Sequence, residues 1–412
     1  MRITCLSVSD QLGGSEAVLL RMITALERVR PAWQFQVVLP GRGPLHERLK
    51  STRAICSVVP MPARLSRLGE WSAVQDGWSA GSQVALGIKL CGTATALPAY
   101  ESRLHRIVAE FDPDVIHTNG FKAHVLGARL RTPRGQLVWH LHEYVSRRRL
   151  TRWLLRRYGS RCSAVVANSR SVAADATEWI GRVRDPQVVT NAVDLDVFSP
   201  DGPRLDLDRL ANLPEAPPSV LRVGLLATYG RWKGHEVFLD AMQQLRSQVA
   251  IRGYIIGGPI YDTANSQYTR ADLQRMIAAR DLSDRVGLTG FVDAAPAMRA
   301  LDIVVHASTE PEPFGLVIAE SMACGRPVIT TGRGGAGELI SDGCDAVVSP
   351  PGDVRVLAQC IDDLAVNRTR RLAIGEQARQ AACLRFAPEA FASEVAGLFE
   401  RLVAHSAVAQ SA

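Results

Sequence analysis

The chain predicts an α/β protein made of two Rossmann-like domains, each built on a parallel sheet. Three observations lead there. Its 412 residues exceed what one hydrophobic core commonly supports and suit two domains of about 200 residues each. Short apolar runs of strand length alternate with segments of helical periodicity, the pattern of βαβ units around a parallel sheet. Residues 194–219, rich in Pro, Asp and Gly, interrupt that alternation near the middle and read as a linker.

The elements follow in order. Residues 2–8 read as a buried strand, 9–15 as a loop holding Gly13 and Gly14, and 16–27 as an amphipathic helix. Strand, glycine loop and helix open a Rossmann-like unit. Further strands are expected at 36–39, 115–117, 136–141 and 164–167, with helical stretches between them. Residues 61–100 are less regular, with Trp71, Trp78 and an apolar run interrupted by Lys89. A second series starts at Leu221, with strands near 221–226, 252–257, 286–290, 302–306 and 327–331. Residues 387–403 make a terminal helix opened by Pro388, whose missing N–H costs nothing in a first turn. The expected boundaries are therefore 1–195 for the first domain, 196–219 for the linker, 220–386 for the second domain and 387–412 for the terminal helix.

Composition narrows the function classes. The chain is 47% hydrophobic and 22% charged, values of a globular protein. No window is apolar enough for a membrane span, and residues 1–6 run into a strand pattern without a signal-peptide layout. Eight cysteines at 5, 56, 91, 162, 324, 344, 360 and 383 stand singly, with no C-x-x-C pair. That points to thiols in a reducing cytoplasm, with neither a disulfide framework nor a zinc site. Charge is unevenly divided: residues 1–200 hold 27 basic against 16 acidic side chains, and residues 201–412 hold 21 against 25. A basic first half suits an anionic partner. Arg147, Arg148, Arg149, Arg152, Arg156, Arg157 and Arg161 interleave with Leu150, Trp153, Leu154 and Tyr158. This reads either as a solvated helix packed on a sheet or as a cationic amphipathic helix for an anionic membrane. No nucleic-acid-binding module accompanies the charge.

The most informative stretch is 306–338, HASTEPEPFGLVIAESMACGRPVITTGRGGAGE. Glu312 lies in a loop, Pro313-Phe314-Gly315 makes the turn, and residues 316–322 carry apolar positions at helical spacing that enclose Glu320. A helix start offers backbone N–H groups and a positive dipole end, which suits a phosphate. At the helical rise the two carboxylates would lie roughly 8–12 Å apart along the axis. A diphosphate fits between them, with Glu312 towards a sugar and Glu320 towards a ribose. This outlines a sugar-nucleotide site.

The run E-P-F-G-L-V-x-x-E-x-M-A-x-G-x-P-V-I, followed by Gly334, Gly335 and Glu338, resembles retaining glycosyltransferases of family 4. The resemblance implies the GT-B fold, two Rossmann-like domains facing across a cleft, and transfer of a sugar from a nucleoside diphosphate to a hydroxyl of a glycan, lipid-linked or small-molecule acceptor. It implies no cofactor and no metal. By the same resemblance Lys233 and Arg231 would hold the donor diphosphate, although Leu225 stands where an Arg commonly follows the strand-end glycine. Gly14 of the Gly13-Gly14-Ser15-Glu16 loop, Gly258, Val292, Phe314, Gly315, Leu316 and Glu320 would contact the donor, and Glu312 its sugar. The family often shows H-x-H where this chain has His117 and Asn119. In the family the second His lies near the reacting sugar, and Asn119 stands in its place here; His117 is a catalytic candidate, Asn119, Lys122, His140 and His142 are acceptor-side candidates, and His306 is a structural neighbour of the donor.

Two rivals have their own residues. Gly332, Gly334 and Gly337 fit G-x-G-x-x-G, with Asp353 sixteen residues on, as in a nicotinamide-dependent oxidoreductase. Gly343 comes too soon for the long helix such a site needs, and Val347-Val348 before Pro350-Pro351 makes a poor second strand. Paired-carboxylate hydrolysis does not need the phosphate-suited helix start. The D-x-D matches at Asp112, Asp194 and Asp206 precede a strand or sit in the linker and read as incidental. A non-catalytic sugar-nucleotide-binding module would have lost donor-site side chains that this chain keeps.

Overall fold

The computed structural model describes residues 1–62, 65, 96–130, 132, 134–180, 185–259 and 266–411. The chain forms two compact units, Met1–Ala192 with Pro388–Ala412, and Val193–Ala387. Trp71, Trp78 and Lys89 lie outside the described residues.

The first unit carries a sheet of β1 (Arg2–Ser7), β2 (Gln34–Leu39), β3 (Ile55–Val58), β4 (Val115–Asn119), β5 (Gln136–Leu141), β6 (Ala164–Ala167) and β7 (Gln187–Val188). Their order is β3-β2-β1-β4-β5-β6-β7, and each neighbouring pair is parallel. The order reverses between β1 and β4, and open α/β sheets bind ligands at the carboxyl ends of such strands. After β1 the helix Gly14–Val29 buries Val18, Leu19, Met22, Ile23 and Leu26, one stripe at helical spacing. The helix Pro388–Ser411 belongs to the same unit. Its Phe399 stacks on Trp33 with ring centroids 6.4 Å apart, and Glu400 accepts from the Arg30 guanidinium at 2.8 Å.

The second unit carries β8 (Leu221–Leu226), β9 (Ile251–Ile256), β10 (Val286–Gly290), β11 (Ile303–His306), β12 (Val328–Thr330) and β13 (Val347–Val348). The order is β10-β9-β8-β11-β12-β13, again parallel throughout. In β11, Ile303 and Val305 enter the core on one face and Val304 the core on the other. Such a strand is apolar on both sides because helices cover both. Here the order reverses between β8 and β11.

Several expectations change. Residues 196–219 are no free linker but part of the second unit. Leu207, Ala211 and Leu213 enter its core, and the buried Asp208 carboxylate accepts from Arg252 at 2.6 Å, Tyr254 at 2.6 Å, Arg222 at 3.2 Å and the Ala216 amide at 3.2 Å. Asp206 caps the helix Leu207–Leu210, Asp194 accepts from the amides of Asp196 and Val197, and Asp112 ends a helix in the left-handed region. The Asp194 and Asp206 carboxylates thus serve local backbone amides, Asp114 accepts from the Arg2 amide at 2.7 Å, and Asp208 is held by side chains of the core. Val347–Val348 does form a strand, a two-residue edge beside β12. Leu225 is not at a strand end. β8 continues to Leu226, Leu225 is buried in the core, and Gly224 sits where a Cβ would meet the Leu301 side chain at 2.3 Å.

Candidate functional site

Two loops of the second unit meet at its reversal point. The loop after β8 leads into a short turn, Arg231–Lys233, and then the helix His235–Gln243. The loop after β11 carries Ser308 to Phe314 and leads into the helix Leu316–Ala323. The Thr309 amide and hydroxyl both donate to the Trp232 carbonyl, at 2.8 and 3.2 Å. Gly234 lies at φ +80°, where a Cβ would stand 1.9 Å from the Ala307 carbonyl oxygen. Only glycine permits that approach.

The contact fixes Lys233 against Glu312. The Lys233 ammonium donates to Glu312 Oε2 at 2.8 Å and lies 3.8 Å from the centroid of the Trp232 ring. His306 Nε2 and the Ser308 hydroxyl reach the same oxygen, each at 3.1 Å. The other nitrogen of His306 meets the Thr330 hydroxyl at 3.0 Å. The two contacts, one on each ring nitrogen, fix the orientation of the His306 ring between Glu312 and Thr330. Glu312 and His306 are buried, while Lys233 keeps a fifth of its side chain exposed. Burial pushes the Glu312 carboxyl up, but the Lys233 charge and the His306 and Lys233 hydrogen bonds outweigh it and hold the group well below the carboxylate range. These partners favour the Glu312 carboxylate over its protonated form.

The Glu312 amide donates to the Arg333 carbonyl at 3.2 Å, and Glu312 bridges to Gly334. The glycine run 332–337 therefore backs the Glu312 loop. It passes into the four-residue turn Gly335–Glu338, not the long helix of a dinucleotide site. That disfavours the oxidoreductase reading.

The remaining donor-side candidates divide into backbone and side-chain positions. Gly315 caps the helix Leu316–Ala323 at φ +98° without a side-chain cap; the Ile318 amide donates to the Gly315 carbonyl at 2.9 Å, and the Leu316 and Val317 amides have no acceptor within the helix. The Phe314 ring packs edge-on against Phe386 in the core, and Leu316 is partly buried. Glu320 lies within the helix and is buried. A Cβ on Gly258 would meet the Phe291 ring at 2.7 Å, and the Gly258 carbonyl accepts from Tyr229 at 3.1 Å. Val292 packs its side chain on the core. The Arg231 guanidinium lies 4.5 Å over the Tyr268 ring.

The first unit gathers the other candidates at the carboxyl ends of β1, β4 and β5. Gly14 begins the helix after β1 and is exposed. Glu16, in the same first turn, is buried, and burial raises its carboxyl pKa. His117 does not end its strand, since β4 runs on to Asn119 and His117 is buried within it. Register puts His117, Asn119 and His140 on one face and Thr118, Trp139 on the other. His117 Nε2 contacts His140 Nδ1 at 3.1 Å, and the rings of His140 and His142 lie 4.1 Å apart. On the opposite face His124 Nδ1 meets the Thr118 hydroxyl at 2.7 Å, and that hydroxyl donates to the Val138 carbonyl. His117 Nδ1, both amide atoms of Asn119 and both nitrogens of His142 are buried without a hydrogen-bond partner among the described residues. Burial keeps all four histidines neutral, with pKa pushed to about 3 for His117 and about 4 for His142, and well below the usual value for His124 and His140. Lys122 follows in the helix Phe121–Arg129. The roles of Ser308 and Thr330 were missed in the sequence, although Ser308 stands within the same short run as His306 and Glu312.

Comparisons with known proteins fit this geometry. Residues 12–197 match the profile of Glycosyltransferase Family 4, and residues 217–367 that of Glycosyl transferases group 1. The crystal structure of HepE from Anabaena with UDP-glucose superposes with a TM-score of 0.77 at 25% identity, covering 97% of this chain and 100% of that one. Sucrose-phosphate synthase from Thermosynechococcus elongatus shares the fold at 20% identity and a TM-score of 0.76, covering 98% and 100%. A GDP-mannose-dependent alpha-(1-6)-phosphatidylinositol monomannoside mannosyltransferase of Mycobacterium tuberculosis is 28% identical over 304 residues, 69% of this chain and 74% of that protein. Alpha-D-kanosaminyltransferase of Streptomyces kanamyceticus is 29% identical over 187 residues, spanning 45% of this chain and 46% of that protein. Two parallel Rossmann-like units with these matched domains define a glycosyltransferase of the GT-B architecture. Within that class, the chain is a glycosyltransferase like those of family 4.

Proposed function

We propose that this enzyme transfers a sugar from a nucleoside diphosphate sugar to a hydroxyl acceptor with retention of anomeric configuration and without a divalent metal. The observation that carries the reading is the part-buried Lys233–Glu312 pair at the reversal point of the second sheet, directly ahead of the helix start at Leu316. An ammonium has three donors, and the bond to Glu312 uses one. Lys233, with Arg231, would present the others to the donor diphosphate, while the amides of Phe314, Gly315 and Leu316 stabilise the charge that grows on it. Glu312, anionic at working pH, would accept hydrogen bonds from the sugar hydroxyls, and Glu320 those of the ribose. Gly14 would approach the donor with its backbone, and Gly258 and Val292 would meet the nucleobase with theirs.

In the proposed front-face step the acceptor oxygen bonds to the anomeric carbon as the bond to the diphosphate breaks. The bonding pair leaves with the diphosphate, which takes the acceptor proton. His117, Asn119, Lys122 and His142 are proposed to serve the acceptor side, and the orphaned polar atoms of His117, Asn119 and His142 support hydrogen-bonding to hydroxyls there. The UDP-glucose held by the Anabaena structure and the GDP-mannose named for the mycobacterial relative both support a nucleoside diphosphate sugar. The phosphatidylinositol monomannoside of the latter supports a lipid-linked acceptor alongside glycan or small-molecule ones.

The test is product analysis. Incubation with each sugar nucleotide and a panel of acceptors should release nucleoside diphosphate in EDTA, with an axial donor linkage kept axial by NMR coupling. An inverted product overturns retention, and a turnover abolished by EDTA overturns metal independence. Nucleotide binding with no turnover on any acceptor would contradict the proposed transfer.

A further inference from the structure

We propose that the helix Arg149–Tyr158 docks the first unit on an anionic lipid surface. One side of the helix belongs to the fold: Leu155 is buried and the Arg152 guanidinium lies 4.1 Å over the Trp179 ring. The other side presents Arg149, Leu150, Trp153, Arg156 and Arg157 to solvent. Trp153 is 62% exposed and Leu150 38% exposed. Residues three apart are neighbours on a helix surface, so the two form one apolar spot. Among the nine exposed large hydrophobics of the described residues, these alone stand a helical turn apart.

Charge names the occupant. From Tyr144 to Ala174 the sequence holds no acidic residue, while arginines recur throughout. Glu143, just before this stretch, is paired with Arg148 at 3.0 Å. The exposed arginines therefore keep their field. A cationic rim around an exposed tryptophan and leucine is the chemistry of an interface between charged headgroups and acyl chains, where indole rings settle and arginines meet lipid phosphates. A dissolved polyanion would use the arginines but give Leu150 no apolar phase. This surface is independent of the donor-site reading.

The experiment is co-sedimentation of the full chain with vesicles of phosphatidylcholine, with and without phosphatidylglycerol. Binding should be about tenfold or more tighter to the anionic vesicles and should fall with added salt. Trp153→Ser should weaken it by about tenfold, and Arg156→Glu with Arg157→Glu by more. All these positions are exposed, so circular dichroism and nucleoside diphosphate binding should stay as in the wild type. Equal binding to both vesicle types, or wild-type binding by the Trp153 variant, overturns the proposal. So does binding to a soluble polyphosphate as tight as that to vesicles.

Discussion

Acidification should unfold the first unit ahead of any effect on chemistry. His117 and His142 are held neutral by burial, with pKa about 3 and about 4, whereas in the unfolded chain each titrates near 6.5. Below that value the unfolded chain binds protons that the folded chain refuses. Stability is therefore full above about pH 6.5 and is lost as pH falls towards about 4. Between pH 7 and pH 5 each of these two histidines contributes a loss of about 2 kcal/mol by linkage. Together they remove about 4 kcal/mol, a large share of the 5–15 kcal/mol that holds typical domains. Glu16 acts in the opposite sense, because its raised pKa lets the folded chain take a proton as pH falls. Six of the seven tryptophans lie in the first unit's sequence, Trp232 being the exception, so urea unfolding followed by fluorescence reports mainly on that unit. The midpoint should drop steeply from pH 7 to pH 5, and His142→Gln should remove about 2 kcal/mol of that dependence. A wild-type midpoint unchanged over this range would refute the reasoning. An undiminished slope in the variant would refute the role of His142.

Other outcomes follow from the second unit. Glu320→Ala should mainly raise the donor KM, and Lys233→Ala should lower kcat by about a hundredfold, the scale of losing one charge-stabilising donor; steady-state kinetics on both checks the assignment, and unchanged values in both would sink it. Gly234→Ala would force a Cβ into the Ala307 carbonyl at a left-handed φ, so a thermal scan should show a loss of at least about 2 kcal/mol. Thr330→Val removes the hydroxyl behind His306 and should lower turnover about tenfold with the fold retained, a change visible as kcat falling more than KM rises.

The sequence made the architecture legible because both sheets are buried on two faces, so their strands appear as short apolar runs between amphipathic helices. It was less clear wherever polarity was buried. Thr118 and Asn119 look like loop residues, yet β4 continues through them: the Thr118 hydroxyl is taken up by His124 and the Val138 carbonyl, and Asn119 pairs in register with His140. The 194–219 stretch has linker composition, but Asp208 is pinned by two arginines and a tyrosine more than ten residues away. In the site, Lys233 and Glu312 stood out from their motif. Their direct pairing, and the chain through His306 to Thr330, depend on the register of β11 beside β8 and β12. No local pattern carries that information. Edge strands of two residues, β7 and β13, were too short to leave a periodic trace.

We propose that the second unit holds a nucleoside diphosphate on Lys233 and the helix start beyond Glu312. Calorimetric titration with UDP-, GDP-, ADP- and TDP-sugars, with and without EDTA, on the wild type and Lys233→Ala tests it most directly. One base class should bind, EDTA should leave its affinity unchanged, and the variant should lose about tenfold or more of it. Binding of NAD instead, or donor binding indifferent to Lys233, would contradict it.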